Sequence, residues 1–170
     1  MLIQQNDGSN FFNRSWAVFK VGFGEPSGNY WLGNDLLSQL TANNRYKLRF
    51  DLQSRSNTSN WYYAEYSTFR VLTEADNYKL QVAGYSGNAG YDAFGSSEHN
   101  GMMFTTYDRD NDRASASINC AASRGGGFWY HSCDSAQVNL PRVGGSETFS
   151  WSGLPGGSGL QSSRMWLQCK

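Results

Sequence analysis

The stretch Thr105–Cys133 reads TTYDRDNDRASASINCAASRGGGFWYHSC, and it joins a run of alternating aspartates to a glycine-rich aromatic segment. The aspartates are Asp108, Asp110 and Asp112. Carboxylates at every second position of an irregular loop place several hard oxygen atoms around one ion, and Ca²⁺ takes about six to eight of them, many from backbone carbonyls. The pattern therefore favours a calcium-binding loop.

The spacing of these aspartates is not that of an EF-hand loop. That motif requires Gly at its sixth position and Glu at its twelfth. Counting from Asp108, those positions hold Arg113 and Asn119. The alternative to a calcium loop of another kind is a solvated polar turn between two strands, and the spacing alone leaves both open.

Composition indicates the general class of protein. A chain of 170 residues is long enough to bury one hydrophobic core. Charged residues are scarce (16%), aromatic residues are abundant (15%) and there are 19 glycines, which favours a loop-rich secreted binding module over a helical enzyme. The formal net charge of zero gives no electrostatic footprint for nucleic acid. No apolar run approaches the roughly 18 residues of a membrane span, so we expect no membrane insertion.

A series of phrases across almost the whole chain resembles the fibrinogen-related domain, the C-terminal globular module of fibrinogen chains, ficolins, tachylectins and angiopoietins. The phrases, in family order, are SWAVFKVGFG, NYWLGNDLLSQLT, YKLRFDL, YAEYSTFRV, YKLQVAGYSGNAG, FTTYDRDNDR, NCA and GGGFWYHSC. The resemblance implies an α+β fold, with a central antiparallel sheet, two short helices and a loop-rich calcium-binding subdomain. It also implies that the N-terminal subdomain of the family is missing, so the chain looks truncated.

The implied organisation is a single domain in three parts. Residues 2–100 form the sheet-and-helix subdomain, residues 101–160 form the loop-rich calcium and ligand subdomain, and residues 161–170 form a closing strand. Alternation of apolar and polar residues predicts a meander of three strands over 46–52, 61–71 and 78–82.

Two short helices are predicted before this meander. The first lies within Asn10–Gly24, where aromatic residues have helical spacing, with Asn13 as a candidate cap. The second begins near Asp35 and directs Leu36, Leu37 and Leu40 inward.

The three cysteines predict one disulfide and one unpaired thiol. A bridge between Cys120 and Cys133 closes a short loop and is worth about 3 kcal/mol of unfolding free energy. Such a bridge indicates an oxidising compartment. A zinc site is the alternative, but the sequence lacks CxxC pairs and suitably spaced histidines. Cys169 has no partner in the chain, and it is either an effect of truncation or an intermolecular link.

The resemblance also implies a ligand set for calcium. In the family the second and third aspartates supply side-chain oxygens, which makes Asp110 and Asp112 the ligands here and gives Asp108 a structural role. Two backbone carbonyls complete the site. The chain is two residues longer than usual before Cys120, so Ala114 is one expected donor, and Ala116, or else Ser115, is the other.

Ligand binding in the lectin members implies a shallow pocket beside the ion. By that resemblance a cis peptide bond is expected at Ser132-Cys133, and the recognition surface comprises Tyr107, Trp129, Tyr130, His131, Ser132, Cys133 and Asp134. Acetyl-binding members commonly have His where this protein has Asp134. The substitution predicts that a permanent negative charge disfavours acidic ligands and favours an amine or Arg-bearing partner.

The later part of that pocket departs from the family. Leu140-Pro141 replaces a Gly-aromatic pair, and the segment 144–151 lacks the Tyr that a lectin offers before Trp151.

Two functions follow from the resemblance. The first is an extracellular, secreted calcium-binding lectin that recognises glycans or acetylated groups in innate immunity. The alternative is an adhesion or ligand module that binds a peptide or protein receptor through the same face, with lectin activity lost. An enzyme is not expected, since the sequence has two histidines and no nucleophile motif.

The remaining expectations concern modification and assembly. Asn57-Thr58-Ser59 is the better placed of two glycosylation sequons, because it lies in a polar hairpin loop. A homo-oligomer would form through missing N-terminal regions or through Cys169.

Overall fold

The computed structural model describes residues 1–141 and 149–170. Its eleven strands are, in chain order, β1 (Leu2–Asn6), β2 (Phe23–Gly24), β3 (Tyr30–Trp31), β4 (Tyr46–Ser54), β5 (Trp61–Val71), β6 (Leu80–Gly87), β7 (Phe104–Thr105), β8 (Phe128–Trp129), β9 (Ala136–Gln137), β10 (Ser150–Trp151) and β11 (Leu160–Cys169). The helices are α1 (Trp16–Val21), α2 (Asn34–Thr41) and α3 (Cys120–Arg124), and one 3₁₀ turn covers Glu74–Asp76.

Seven strands form one antiparallel sheet in the order β2-β3-β1-β11-β4-β5-β6. The predicted meander is confirmed, because β4, β5 and β6 are neighbours in both sequence and space. The third strand lies later than predicted, at Leu80–Gly87. Strand β11 lies between β1 and β4, so the sheet joins opposite ends of the described chain.

Helix α1 is shorter than the sequence pattern predicts. Only Trp16 and Phe19 of the aromatic series lie on it, while Phe12 and Phe23 reach the same aromatic cluster from the segments on either side. The helix begins after Ser15 rather than at a cap by Asn13, and it ends at Gly22, where φ is +93°. A Cβ at Gly22 would approach the Leu32 carbonyl oxygen to 2.6 Å, so glycine is needed at this end.

Helix α2 confirms one part of its prediction and contradicts another. Leu37 is buried, and Leu40 packs against the core. Leu36 is exposed, because it projects from the outer side of the helix, so its expected inward orientation is wrong.

The core extends from the inner face of the large sheet into the loop-rich region. Phe50 of β4 contacts Phe94 and Trp151, and Phe104 of β7 contacts Trp129 of β8. The loops that carry the candidate site are therefore fixed from beneath by aromatic packing. No helix in the described ranges is long and apolar enough to cross a bilayer.

Candidate functional site

The aspartate loop is attached to helix α1 through Asp108. Its Oδ1 accepts hydrogen bonds from the Trp16 backbone N–H (2.9 Å) and the Thr106 hydroxyl (2.7 Å). The neighbouring Arg109 guanidinium lies 4.0 Å from the Trp16 ring centroid and donates to Asn77 Oδ1 at 2.8 Å. Asp108 thus satisfies a free N–H at the start of the helix, as its expected structural role requires.

Asp110 and Asp112 lie side by side in the same loop. Asp110 Oδ1 accepts from the Asp112 N–H (3.2 Å), while the two oxygens of Asp112 accept from the N–H groups of Ala114 (2.8 Å) and Cys120 (2.7 Å). Burial raises the pKa of Asp112, and the adjacent Asp110 carboxylate raises it further against the effect of these two backbone donors. In the described part of the chain, neither carboxylate has an ion-pair partner.

The carbonyls that follow these aspartates are not equivalent. Ser115 accepts a hydrogen bond from the Ile118 N–H at 2.8 Å. The carbonyls of Ala114 and Ala116 accept none from the described residues. Residues 1–141 and 149–170 contain no cluster of three or more His, Cys, Asp or Glu side chains that could hold a metal ion. The candidate centre therefore consists of two carboxylates and backbone oxygens.

A disulfide connects this loop to the expected ligand face. Cys120 and Cys133 are bonded, as predicted, and the Ser132-Cys133 peptide is cis, as the resemblance implies. A second connection runs from the Arg113 N–H to the His131 carbonyl (2.9 Å). The two segments are thus joined both covalently and by the backbone.

Trp129 and Tyr130 lie beneath the expected face, not on it. Both side chains are buried. The Trp129 indole N–H donates to the Tyr78 carbonyl (2.7 Å), and the Tyr130 hydroxyl donates to the Gly126 carbonyl (2.6 Å). Their rings, expected in the wall of the ligand pocket, instead pack in the core because their polar atoms are already satisfied there.

Buried His99 holds the segment that follows Cys133, and no pattern in the sequence signals this role. Its Nε2 accepts from the N–H groups of Ser135 (3.1 Å) and Ala136 (2.9 Å), so the proton is on Nδ1, which donates to the Trp129 carbonyl (2.7 Å). Burial lowers the pKa of His99 to about 4. The imidazole is therefore a neutral bridge between β8 and the ligand segment.

Asp134 differs from its sequence-based description. Its side chain is 0% exposed, and no described donor forms a hydrogen bond with either carboxylate oxygen. Burial raises the pKa of Asp134 to about 6, against the opposing effect of Arg124, whose Nε lies 3.7 Å from Oδ2. The negative charge expected at this position therefore lies inside the protein, and the partly exposed charge here belongs to Arg124.

This segment is partly open to solvent although the Asp134 side chain is buried. The residues Cys133 and Asp134 are partly exposed, and no described residue accepts a hydrogen bond from their N–H groups. Exposed Tyr107 and Ser132 and partly exposed His131 are the expected face residues that present side chains to solvent. The face therefore offers two backbone donors that no described residue engages.

The remaining predictions concern the Asn57 sequon and the departures from the lectin pattern. Asn57 is exposed in the loop between β4 and β5, where its Oδ1 accepts from the Ser59 N–H (3.0 Å). Leu140 and Pro141 are buried. The expectation that the lectin Tyr is missing concerns residues 144–148 in part, and these lie outside the described residues.

A comparison of this sequence with protein families finds a matching model that covers most of the chain. The family model of the C-terminal globular domain of fibrinogen beta and gamma chains matches residues 1–161. Human ficolin-3 is 40% identical over 136 residues, which are 80% of this chain and 44% of that protein. The curated relatives compared are matched over 6% to 52% of their own lengths.

Solved structures agree with that match. The fibrinogen-like globe domain of human ANGPTL6 superposes with a TM-score of 0.87 at 34% identity, over 99% of this chain and 77% of that one. A lamprey fibrin D-dimer, solved with the peptide ligand Gly-His-Arg-Pro-amide, superposes with a TM-score of 0.81 at 30% identity, over 98% and 60% of the two chains.

Proposed function

Since the protein belongs to the family of the C-terminal globular domains of fibrinogen beta and gamma chains, we propose that it is an extracellular recognition module that binds Ca²⁺ and a carbonyl-bearing ligand. The observation that carries the ligand proposal is the pair of unengaged N–H groups at Cys133 and Asp134. The disulfide supports an oxidising, extracellular location. The proposal assigns no catalytic step.

The residues present fit a calcium ion. Asp110 and Asp112 bring two adjacent carboxylates together without a compensating cation among the described residues, and a divalent ion would offset their repulsion. Each Asp112 oxygen accepts one backbone hydrogen bond and keeps a further lone pair for a metal. Ca²⁺ would be held by these side chains and by the carbonyls of Ala114 and Ala116, and it would neutralise the loop beside the ligand face.

Calcium binding is tested by thermal unfolding with and without the ion. An ion that binds only the native state raises the melting temperature as its concentration increases. We expect this rise in the unmodified protein and its loss in Asp110→Ala and Asp112→Ala. Asp76→Ala, which removes an aspartate distant in sequence from this loop, is the control and should keep the rise. An undiminished rise in the double variant would contradict the ligand assignment.

The ligand proposal rests on donor geometry. Two adjacent N–H groups can bind one carbonyl oxygen, and a ligand that supplies this oxygen compensates for the desolvation of both donors. An acetyl group provides such a carbonyl in a small apolar frame. The relationship to human ficolin-3 and the resemblance to acetyl-binding members support a lectin-like role in innate recognition, with acetylated glycans as ligands.

A peptide or protein ligand is the second candidate. A peptide carbonyl offers the same acceptor, and the structurally similar lamprey fibrin D-dimer was solved with a peptide ligand. The donor pair can bind a carbonyl of either ligand class, so the titration below includes one ligand of each class.

NMR titration of the ¹⁵N-labelled protein tests the proposed face directly. N-acetylglucosamine, with glucosamine as the control without a carbonyl, should shift the amide resonances of Cys133 and Asp134. The same titration with an acetylated tripeptide tests the peptide alternative. Perturbations confined to the Asn57 loop or to α2 would remove the face from consideration. A chelator should weaken the response if calcium supports the face.

A further inference from the structure

Arg124 is a charged group beside the candidate face that the sequence patterns did not single out. It is the last residue of α3, and its side chain is 41% exposed. Among residues 1–141 and 149–170 its guanidinium has one ion pair, which joins Nε to Asp134 Oδ2 at 3.7 Å. The two terminal nitrogens, Nη1 and Nη2, have no partner among the described residues.

The pairing of Arg124 with Asp134 places the guanidinium beside a buried charge. The Asp134 carboxylate is fully buried and lies 3.7 Å from Nε without a hydrogen bond, so it attracts the guanidinium from the protein side. The planar fork of an arginine can then use its other edge for a carboxylate, in two parallel hydrogen bonds. Asp134 in this way positions a cation whose free edge is partly open to solvent.

Among the described residues, Asp134 is the acidic group that lies within ion-pair distance of this cation, and its side chain is on the protein side. Tyr130 stays neutral, since burial raises its pKa well above the ordinary value. A bound Ca²⁺ would neutralise Asp110 and Asp112, so the solvent side of this region would carry a net positive potential.

We propose that the ligand of this face carries a carboxylate next to its carbonyl acceptor, and that Arg124 binds this carboxylate while the N–H groups of Cys133 and Asp134 bind the carbonyl. This inference rests on the proposed function. It reverses the sequence-based expectation that Asp134 disfavours acidic ligands, because the buried carboxylate anchors a cation instead of facing the ligand.

Two matched ligand pairs test the inference by calorimetry in excess calcium. The first is N-acetylneuraminic acid and its methyl ester; the second is N-acetylalanine and N-acetylalaninamide. Within each pair the acetyl group is kept and the charge is removed. We expect the acid of at least one pair to bind about fivefold more tightly, the upper range for a partly exposed ion pair. Preference in the first pair alone indicates an acidic sugar, and in the second alone an acidic peptide-like ligand.

Arg124→Gln should abolish the preference for the acid, so that the acid and its neutral partner bind with equal affinity. Arg70→Gln, at an exposed position of β5, makes the same charge change and should keep the preference. Since Arg124→Gln leaves the Asp134 charge without its cation, the double variant Arg124→Gln/Asp134→Asn serves as a fold-preserving check and should show the same loss. Arg124→Lys should keep only part of the preference, because lysine lacks the fork.

The outcomes separate the inference from the proposed function. Equal binding of acid and neutral partner, unaffected by Arg124→Gln, overturns the role of Arg124 and leaves carbonyl recognition in place. No binding of any acetylated ligand overturns both. A preference for the acid that survives in both Arg124→Gln and the double variant assigns the carboxylate to another cation and overturns the inference.

Discussion

At the scale of single residues, the buried side chains of His99 and Asp134 give the stability of the protein opposite pH dependences. His99 has an ordinary pKa of 6.5 and a folded-state pKa of about 4. The stability that it contributes is complete above pH 6.5 and is lost as the pH falls towards 4. Asp134 has an ordinary pKa of 3.8 and a folded-state pKa of about 6, so its ionisation costs stability as the pH rises through 6.

Asp134→Asn is therefore expected to stabilise the protein at pH 7.5. The amide removes a buried charge that has no hydrogen-bond donor among the described residues, and the gain in unfolding free energy should be on the order of 2 kcal/mol. Chemical denaturation at several pH values measures it, and the gain should vanish towards pH 4. Glu25→Gln, at an exposed carboxylate, is the control and should have little effect. Lower stability of Asp134→Asn at pH 7.5 would show that the Arg124 ion pair outweighs burial.

The His99 contribution should become visible in that same variant. Without the opposing Asp134 titration, unfolding free energy should decrease by up to about 1.4 kcal/mol for each pH unit between 6.5 and 4. The ¹⁵N shifts of the imidazole should report the Nδ1–H tautomer and a titration midpoint near pH 4. A midpoint near 6.5 would contradict the buried neutral bridge.

Sequence patterns predicted the arrangement of the aspartate loop better than the burial of the residues expected on the ligand face. The alternation of Asp108, Asp110 and Asp112 is local, and it brought two carboxylates together as expected. The burial of Trp129 and of the Asp134 side chain depends on distant partners such as the Tyr78 carbonyl. No local pattern encodes such a contact, so orientation could not be read from residue type.

At the scale of elements, the glycines after α3 allow a close approach to the backbone at Asn139. A Cβ at Gly126 would lie 2.1 Å from the Asn139 carbonyl oxygen. Gly126→Ala should therefore lower the unfolding free energy by about 1–3 kcal/mol, the usual cost of overpacking. Gly28→Ala is the matched control, since a Cβ there meets nothing within 4 Å. Equal denaturation midpoints for the two variants would contradict this close approach.

The elements differ in how well their sequences indicate them. Strand β5 has the predicted bounds, because eleven residues of Trp61–Val71 form a continuous strand with a buried face. Helix α3 was not predicted, although Asn119 caps it through the Ala122 N–H (2.8 Å) and Gly125 ends it. With five residues it is too short to show a periodic apolar face.

At the scale of the whole molecule, the three cysteines are expected to behave differently. Cys169 is exposed and unpaired, whereas Cys120 and Cys133 are bonded. Thiol titration of the unreduced protein should find one reactive sulfur per molecule, and none in Cys169→Ser. Three reactive thiols would contradict the disulfide and the oxidising compartment. A covalent dimer that disappears in Cys169→Ser would identify this residue as an intermolecular link.

The position of β11 between β1 and β4 constrains how the molecule is made. During translation, β4, β5 and β6 leave the ribosome in succession and pair as neighbours. Strand β1 emerges first, yet one of its two neighbours is the last strand of the described residues. Strand β11 ends at Cys169, so the centre of the sheet is completed only after this residue has been synthesised. Pairing of segments so distant in sequence is also intrinsically slow. A nascent polypeptide arrested before Leu160 should accordingly remain sensitive to protease, because β1 and β4 then lack β11, the strand that pairs with both.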